Sequence, residues 1–108
     1  MGGAEQLYRR VVAQAPGAAV TRGLLAEVYL RQQRNDEAVQ VLKDGVTHDP
    51  SSPLMHRSLA SVLDRTGRLR EAVQEYREYA RLAPNAGDAK QLQERATYLE
   101  QKAASSSL

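Results

Sequence analysis

The side chains best suited to chemistry in this sequence are two histidines, His48 and His56, which flank a Pro-Ser-Ser-Pro turn. Imidazole can transfer protons or bind a metal ion, but neither histidine has an acidic or histidine partner at metal-ligand spacing. We therefore predict that both are surface residues at helix ends. Serines cluster only near the end of the chain, and Gly17, Gly23 and Gly87 are isolated rather than part of a phosphate-binding loop. The sequence predicts no enzyme activity, no cofactor and no metal site.

Composition and charge narrow the class of protein further. The chain has 108 residues, 42% hydrophobic and 26% charged, and a formal charge of +2 with acids mixed among the bases. This balance argues against nucleic-acid binding driven by phosphate contacts. No apolar run is long enough for a membrane span, there is no cysteine, and the first residues lack a signal peptide. The sequence thus predicts a cytoplasmic protein by default. Its arginine-rich basic residues favour a GC-rich bacterial genome.

An internal repeat organises the chain. The sequence EAVQ occurs at residues 37–40 and again at 71–74, a spacing of 34 residues, and Pro16, Pro50 and Pro84 keep the same spacing. Residues 19–50 align with 53–84, and identical pairs in this alignment include Leu25 with Leu59, Ala26 with Ala60, Val28 with Val62, Arg31 with Arg65 and Arg34 with Arg68. A fixed period of this length is typical of stacked supersecondary units.

Each unit reads as two amphipathic helices. Apolar residues recur at helical spacing in both halves of both units, as in Leu24, Leu25, Val28 and Tyr29, then Ala38, Val39, Leu42 and Val46. Ser52-Pro53 predicts a capped helix start, and Thr66-Gly67 predicts a helix end. No stretch shows the sustained alternation of a strand. The sequence therefore predicts an all-α protein.

The ends of the chain fit incomplete units. Residues 4–16 resemble only the second half of a unit, the full units are 19–52 and 53–86, and 88–103 predict a terminal capping helix. We expect residues 1–104 to form one domain and residues 105–108 a disordered tail. Because neither helix of a pair can bury its apolar face alone, the pairs must stack. The expected architecture is an α-solenoid of antiparallel helix pairs.

These residues resemble the tetratricopeptide repeat (TPR) family. The first unit supplies the residues of its pattern as Leu25, Ala26, Tyr29, Ala38, Leu42, Gly45 and Pro50, and the second as Leu59, Ala60, Leu63, Gly67, Ala72, Tyr76 and Pro84. The resemblance implies a fragment of a right-handed superhelix in which alanines lie at close helix crossings. Two departures are Arg22 and His56, where the family usually has tryptophan, and Tyr79, where a small residue is expected. We expect Tyr79 to pack against the terminal helix.

The resemblance also implies a site. In TPR domains the first helices of successive pairs line a concave groove that usually binds peptides, and Val20 and Leu54 are among the corresponding positions here. The residues expected to bind a partner in this groove are Glu27, Arg31, Arg57, Ser61, Asp64, Arg65 and Arg95. Because guanidinium groups grip carboxylates through paired hydrogen bonds, an acidic peptide or C-terminus is the natural ligand. The carboxylate clamp of co-chaperone TPR domains is not matched, since the corresponding residues are Gly23, Glu27, Ser58, Asp88 and Leu92.

The function predicted from the sequence is a non-catalytic protein-interaction module, acting as scaffold or adaptor through the concave groove. Two alternatives remain open at this point. Leu7, Val11 and Val12 on the first helix lack the helix that should precede it, so copies could assemble end to end into a homo-oligomer. The chain could also be an appendage of a larger enzyme or secretion assembly.

Overall fold

The computed structural model describes residues 2–106, and every regular element in that range is an α-helix. The helices are α1 (Gly2–Gln14), α2 (Ala19–Arg31), α3 (Asn35–His48), α4 (Pro53–Arg65), α5 (Leu69–Leu82) and α6 (Ala89–Ser106). Each helix packs on the next one along the chain, and α2 also contacts α4. This confirms the predicted all-α stack of sequential antiparallel pairs.

Small residues lie where the helices cross. Ala26 and Ala38 in the first pair, and Ala60 and Ala72 in the second, are fully or almost fully buried. A methyl group at these positions lets two helix axes approach closely, and the leucines beside them fill the space between the layers. Leu42, Leu63 and Leu99 are among the largest side chains that are completely buried.

In both full pairs the turn between the two helices falls at the same repeat position, but the residue that makes it differs. After α4, Gly67 has φ +80°, and the amide of Arg68 donates to the carbonyl of Leu63. After α2, Gln33 has φ +60°, and the amide of Arg34 donates to the carbonyl of Tyr29. Both ends are Schellman motifs, in which a left-handed residue lets later amides satisfy the last helical carbonyls. The predicted helix end at Gly67 is confirmed, whereas the left-handed Gln33 has no signal in its residue type.

The start of α4 agrees with its capping signal. The Ser52 hydroxyl accepts a hydrogen bond of 3.2 Å from the amide of Met55, and Pro53 is the first residue of the helix. The hydroxyl satisfies one of the amides that have no partner within the helix, and proline has no amide to satisfy. The Ser-Pro pair therefore fixes where the second unit begins.

Arg22 and His56 occupy equivalent buried positions in α2 and α4. Arg22 Nε donates to the carbonyl of Pro16 at 2.7 Å and its Nη1 to Val41 at 2.6 Å. His56 Nε2 donates to the carbonyl of Pro50 at 2.7 Å, and its Nδ1 lies 2.7 Å from Glu75 Oε1. Each side chain thus ties its helix to the proline that ends the preceding unit.

The prediction for the two histidines is half right. His48 is exposed at the end of α3, as expected, but His56 is only 5% exposed and was wrongly predicted to be a surface residue. Its acidic partner, Glu75, lies on the following helix and far along the chain, so no short-range spacing could reveal it. Burial is tolerated because both ring nitrogens have hydrogen-bond partners.

At one helix crossing the two units have large and small residues at opposite positions. Gly45 on α3 faces Arg22 and the fully buried Met55, and a Cβ on Gly45 would lie 2.7 Å from Met55 Sδ. The repeat equivalents of Gly45 and Met55 are Tyr79 and Ala89, so the large and the small residue have exchanged places between the two units. The Tyr79 side chain is buried, and its hydroxyl donates to Asp88, the residue before α6.

The terminal helix is longer than expected. It runs to Ser106, whose hydroxyl donates to the carbonyl of Lys102. Residues 105 and 106, which the sequence analysis assigned to a disordered tail, belong to α6 in the structure, and no glycine or proline interrupts this helix after Ala89. Residues 107 and 108 lie outside the described part of the chain.

Candidate interaction groove

Residues of the first helices line one groove. It has a volume of about 400 Å³ and runs across α2 and α4 toward α6. The α2 side provides Val20, Gly23, Leu24 and Glu27, and the opposite side provides Leu54, Arg57, Ser58, Ser61 and Leu92. The stack creates this groove because the first helix of each pair lies beside the first helix of the next.

An apolar patch forms one end of the groove. Val20, Leu24 and Leu54 are 66%, 43% and 38% exposed, and they are three of the five large apolar side chains that are exposed in residues 2–106. Gly23 lies between the two α2 residues, and the nearest side-chain atom to a Cβ built there is Ser58 Oγ at 3.7 Å. The missing side chain keeps the centre of the patch open, so a bound side chain could reach the groove floor.

Ion pairs join successive first helices along the groove. Arg65 on α4 binds Glu27 on α2 through both guanidinium amines. Arg57 Nε donates to Asp88 Oδ2 at 2.8 Å, which ties α4 to the segment just before α6. These pairs are largely exposed, and such pairs typically contribute about 0–1 kcal/mol each.

Asp64 is the centre of a more buried network. Arg95 on α6 donates two hydrogen bonds of 2.9 Å to its two carboxylate oxygens, and the Tyr76 hydroxyl donates a third of 2.9 Å. The hydrogen bond from Arg95 is the largest of several effects that together lower the pKa of the Asp64 carboxyl. Burial, helped by the hydrogen bond to Asp64, raises the pKa of the Tyr76 phenol. Asp64 therefore remains a charged link between α4, α5 and α6.

Asp88, just before α6, is bound by Arg57 and by the Tyr79 hydroxyl. The hydrogen bond from the Tyr79 hydroxyl is the largest effect lowering the pKa of the Asp88 carboxyl, and Arg57 adds to it. The hydrogen bonds to Glu27 likewise raise the pKa of the Arg65 guanidinium. In both cases a charged group is stabilised by a partner within the same protein. The electrostatics of the groove are therefore largely balanced internally.

Six of the seven predicted site residues form two groups at the groove, and Arg31 belongs to neither. Glu27, Arg57 and Ser61 line the groove, and Arg65, Asp64 and Arg95 border it through the ion pairs described above. Arg31 is exposed, and its side chain makes no hydrogen bond or ion pair within residues 2–106. Three of the four arginines expected to bind an acidic ligand thus already bind a carboxylate of this chain. Whether any of these residues contacts a partner stays a prediction.

Sequence reasoning missed one member of the apolar patch. Leu24 follows the helical spacing of the buried α2 face and was assigned to it, yet the structure exposes it in the groove. Its repeat equivalent is Ser58, a polar residue of the same groove, and that pairing is the signal that could have identified it. Val20 and Leu54 are likewise equivalent to each other.

Metal ligation and membrane crossing each require a recognisable group of residues. Within residues 2–106, no group of three or more His, Cys, Asp or Glu side chains could hold a metal ion. In the same range, no helix has the length and apolar character needed to cross a membrane.

Several solved structures share this fold. The first TPR domain of Spaghetti (RPAP3), bound to the HSP90 peptide SRMEEVD, has 18% identity and a TM-score of 0.71, covering 87% of this chain and 75% of that one. The type III secretion chaperone SycD of Yersinia enterocolitica, in complex with a peptide of the translocator YopD, has 16% identity and a TM-score of 0.71, covering 96% and 79%. PcrH with the chaperone binding region of PopD has 18% identity and a TM-score of 0.67, covering 94% and 77%. At this level of identity the likeness establishes the fold.

Family models give the assignment. No curated protein matches the chain. One tetratricopeptide repeat model matches residues 1–62, and a second matches residues 58–86. The two matches cover both full helix pairs and the half unit before them, in agreement with the observed stack. The chain belongs to the tetratricopeptide repeat family.

Proposed function

We propose that this protein is a non-catalytic interaction module that holds a segment of a partner protein in the groove between α2 and α4. The observation that carries the proposal is the apolar patch of Val20, Leu24 and Leu54, exposed together around Gly23. Exposed apolar side chains that converge in one concavity are typical of interaction sites rather than of ordinary surface.

The patch favours a ligand anchored by apolar side chains. Burying the exposed parts of Val20, Leu24 and Leu54 against a partner removes apolar surface from water, which is the main driving force of such binding. Ser58 and Ser61 line the same groove and can hydrogen-bond to the backbone of a bound segment. Together these groups suit a peptide with two apolar residues and an accessible backbone.

Arg31 is the arginine best placed to bind an acidic residue of the ligand. Arg31 is unpaired within the described residues, whereas Arg57, Arg65 and Arg95 would each have to exchange Asp88, Glu27 or Asp64 for a ligand carboxylate. Such an exchange gains little, because one carboxylate replaces another. The structure therefore favours an apolar ligand with an acidic residue near Arg31 over a strongly acidic tail.

The similar structures support peptide binding in general terms. RPAP3, SycD and PcrH were each solved with a peptide or a binding region of another protein. The chaperone-tail ligand of RPAP3 suits this groove poorly, because Glu27 and Asp88 lie where the co-chaperone clamp has other residues. Their carboxylates would repel the terminal carboxylate of such a tail.

A peptide selection tests this proposal. A random peptide library displayed on phage would be selected against the wild-type protein, and the enriched peptides would be titrated by fluorescence anisotropy. The test variant is Val20→Glu/Leu54→Glu. Each residue is the second of its helix, where glutamate suits the helix dipole and the fold should persist. We expect the double variant to weaken binding by at least about tenfold.

The control is Leu7→Glu, which introduces the same residue type at an exposed leucine outside the groove. This control should bind the selected peptides with unchanged affinity, and all variants should melt at the same temperature. If the affinity of the selected peptides falls with added salt, Arg31→Ala should remove that dependence. Equal binding by the groove variant and the control would contradict the proposed site.

A further inference from the structure

Gly23 is a glycine inside a helix that the fold itself does not require. It lies within α2, where glycine is less favourable than alanine because it loses more backbone freedom on folding. Its φ is not positive, and the nearest atom to a Cβ built there is Ser58 Oγ at 3.7 Å, an ordinary contact distance. By contrast, a Cβ on Gly45 in α3 would lie 2.7 Å from Met55 Sδ. An alanine would therefore fit at position 23 without a clash.

The repeat equivalents of Gly23 are long polar residues. Arg57 in α4 and Gln91 in α6 have the same position in their units, and both side chains are exposed. This position faces the groove, since Gly23 and Arg57 both line it. A long side chain at position 23 would therefore fill part of the groove. The first unit has open space at the point where the second unit has an arginine.

The open space beside α2 leads to an apolar floor. Leu42, Val62 and Tyr76 line the groove although each is almost fully buried, so they form its deepest part. Leu24 and Leu54 line the same groove and are partly exposed. A side chain that enters there would exchange water for apolar contacts, and the groove volume of about 400 Å³ leaves room for a large one.

The polar groups around this space favour an uncharged side chain beside an accessible backbone. Glu27 and Arg57 also line the groove, but each already binds an oppositely charged residue of this chain. A charged group buried between them would lose water without gaining an unpaired partner. The hydroxyls of Ser58 and Ser61 make no hydrogen bond in the part of the chain that the structure describes, residues 2–106, and each can donate to or accept from a peptide group.

We propose that Gly23 determines the specificity of the groove by admitting one apolar side chain of the bound segment, leucine-sized or larger. The role of Gly23 rests on the proposed function. The ligand side chain passes the α2 backbone at Gly23 and reaches Leu42 and Tyr76, while Ser58 hydrogen-bonds to the adjacent peptide group. The partner segment is thus recognised by an uncharged, bulky residue rather than by a charged terminus.

Opposite effects on stability and binding distinguish this role from a structural one. Gly23→Ala should raise the melting temperature by a few degrees, because alanine is the better helix former and its methyl group fits. The same methyl group should weaken peptide binding by about threefold, and Gly23→Leu, which fills the space, by at least about tenfold. If the alanine variant melted at a lower temperature than the wild type, the glycine would have a structural role and the proposal would be overturned.

The probe is the tightest-binding peptide selected from the phage library on the wild-type protein, labelled and titrated by fluorescence anisotropy. The selected peptides should share a large apolar residue, and alanine at that residue should weaken binding to the wild type by at least about tenfold. Gly23→Leu should bind both peptides with nearly the same affinity, because the side chain in which they differ no longer enters the groove. The control Gly3→Leu adds the same side chain where a Cβ meets nothing within 4 Å, outside the groove, and should change neither affinity.

Two results separate the role of Gly23 from the proposed function. If Val20→Glu/Leu54→Glu weakens binding but Gly23→Ala and Gly23→Leu do not, the groove is the site and the role of Gly23 is overturned. If that groove variant binds the peptides normally, the proposed function fails, and the role of Gly23 fails with it. Selected peptides without a shared large apolar residue, or equal effects of Gly3→Leu and Gly23→Leu, would also overturn the proposal.

Discussion

At the scale of single residues, the two units solve one packing problem in opposite ways. Gly45 leaves room for the long side chains of Arg22 and Met55, whereas the equivalent residues of the second unit are Tyr79, His56 and Ala89, all of them buried. All three residues of this set therefore differ between the two units. Interiors packed to crystal density accept such compensated exchange far better than a single change.

We expect Gly45→Ala to lower the free energy of unfolding by about 1 kcal/mol, because overpacking against Met55 outweighs the better helix propensity of alanine. Met55→Ala alone should cost about 2–5 kcal/mol through the cavity it leaves. In the double variant the added methyl no longer meets Met55, although Arg22 Cδ stays close, so the measured loss should be smaller than the sum. Urea unfolding of the four proteins gives this coupling. Gly3→Ala is the control, since a Cβ there meets nothing within 4 Å. If the losses of unfolding free energy in Gly45→Ala and Met55→Ala were additive in the double variant, the close contact between the two residues would be contradicted.

At the scale of elements, the ends of α2 and α4 can be compared directly because they are equivalent in the repeat. One of them places a residue with a Cβ in the strained left-handed conformation. Gln33 and Gly67 are equivalent, and both have a positive φ with the same pattern of backbone hydrogen bonds. The left-handed conformation costs a residue with a Cβ roughly 1–2 kcal/mol, whereas glycine adopts it without that cost. The first pair therefore closes with a less favourable residue than the second.

We expect Gln33→Gly to raise the free energy of unfolding by about 0.5–1 kcal/mol, since the relief of strain exceeds the entropy that glycine adds to the unfolded chain. Gly67→Gln is the converse variant and should lower it by a similar amount. A Cβ at Gly67 meets nothing within 4 Å, so strain rather than a clash would be measured. Thermal melts followed by circular dichroism compare the two. A destabilised Gln33→Gly variant would contradict the assignment.

At the scale of the whole molecule, stability is distributed along the stack because each helix meets mainly its sequence neighbours. The two terminal helices contribute unequally. The helix α6 buries Ala89, Ala96 and Leu99 and covers α5, whereas no residue of α1 whose side chain is described is fully buried. The N-terminal end of the stack should therefore open more easily than the C-terminal end.

Two truncations test this asymmetry. A protein that starts at Pro16 should keep cooperative unfolding and the helical content of the remaining helices, with a lower melting temperature. A protein that ends at Ala86 should lose more helix than α6 itself contains, because the buried face of α5, with Tyr76 and Tyr79, would be exposed to water. Circular dichroism and thermal melts measure both. Equal losses in the two proteins would contradict the unequal burial.

Much of this architecture could be predicted from the sequence. The repeat of EAVQ and of Pro16, Pro50 and Pro84 determines the number of units, and helical spacing within each unit determines the helices. These signals are local or strictly periodic, so they can be seen without coordinates. The small crossing residues Ala26 and Ala60 follow from the same register. The family assignment has the same basis.

Which charged side chains pair, and which side chains line the groove, could be determined only from the tertiary structure. Arg57 meets Asp88, Arg95 meets Asp64 and His56 meets Glu75 across distances in sequence that no spacing rule covers. Whether an arginine is free for a ligand depends on which carboxylate the superhelix brings beside it. Leu24 shows the same limit, because one helical face borders both the core and the groove. Only the placement of the neighbouring helices decides on which side of that border a leucine lies.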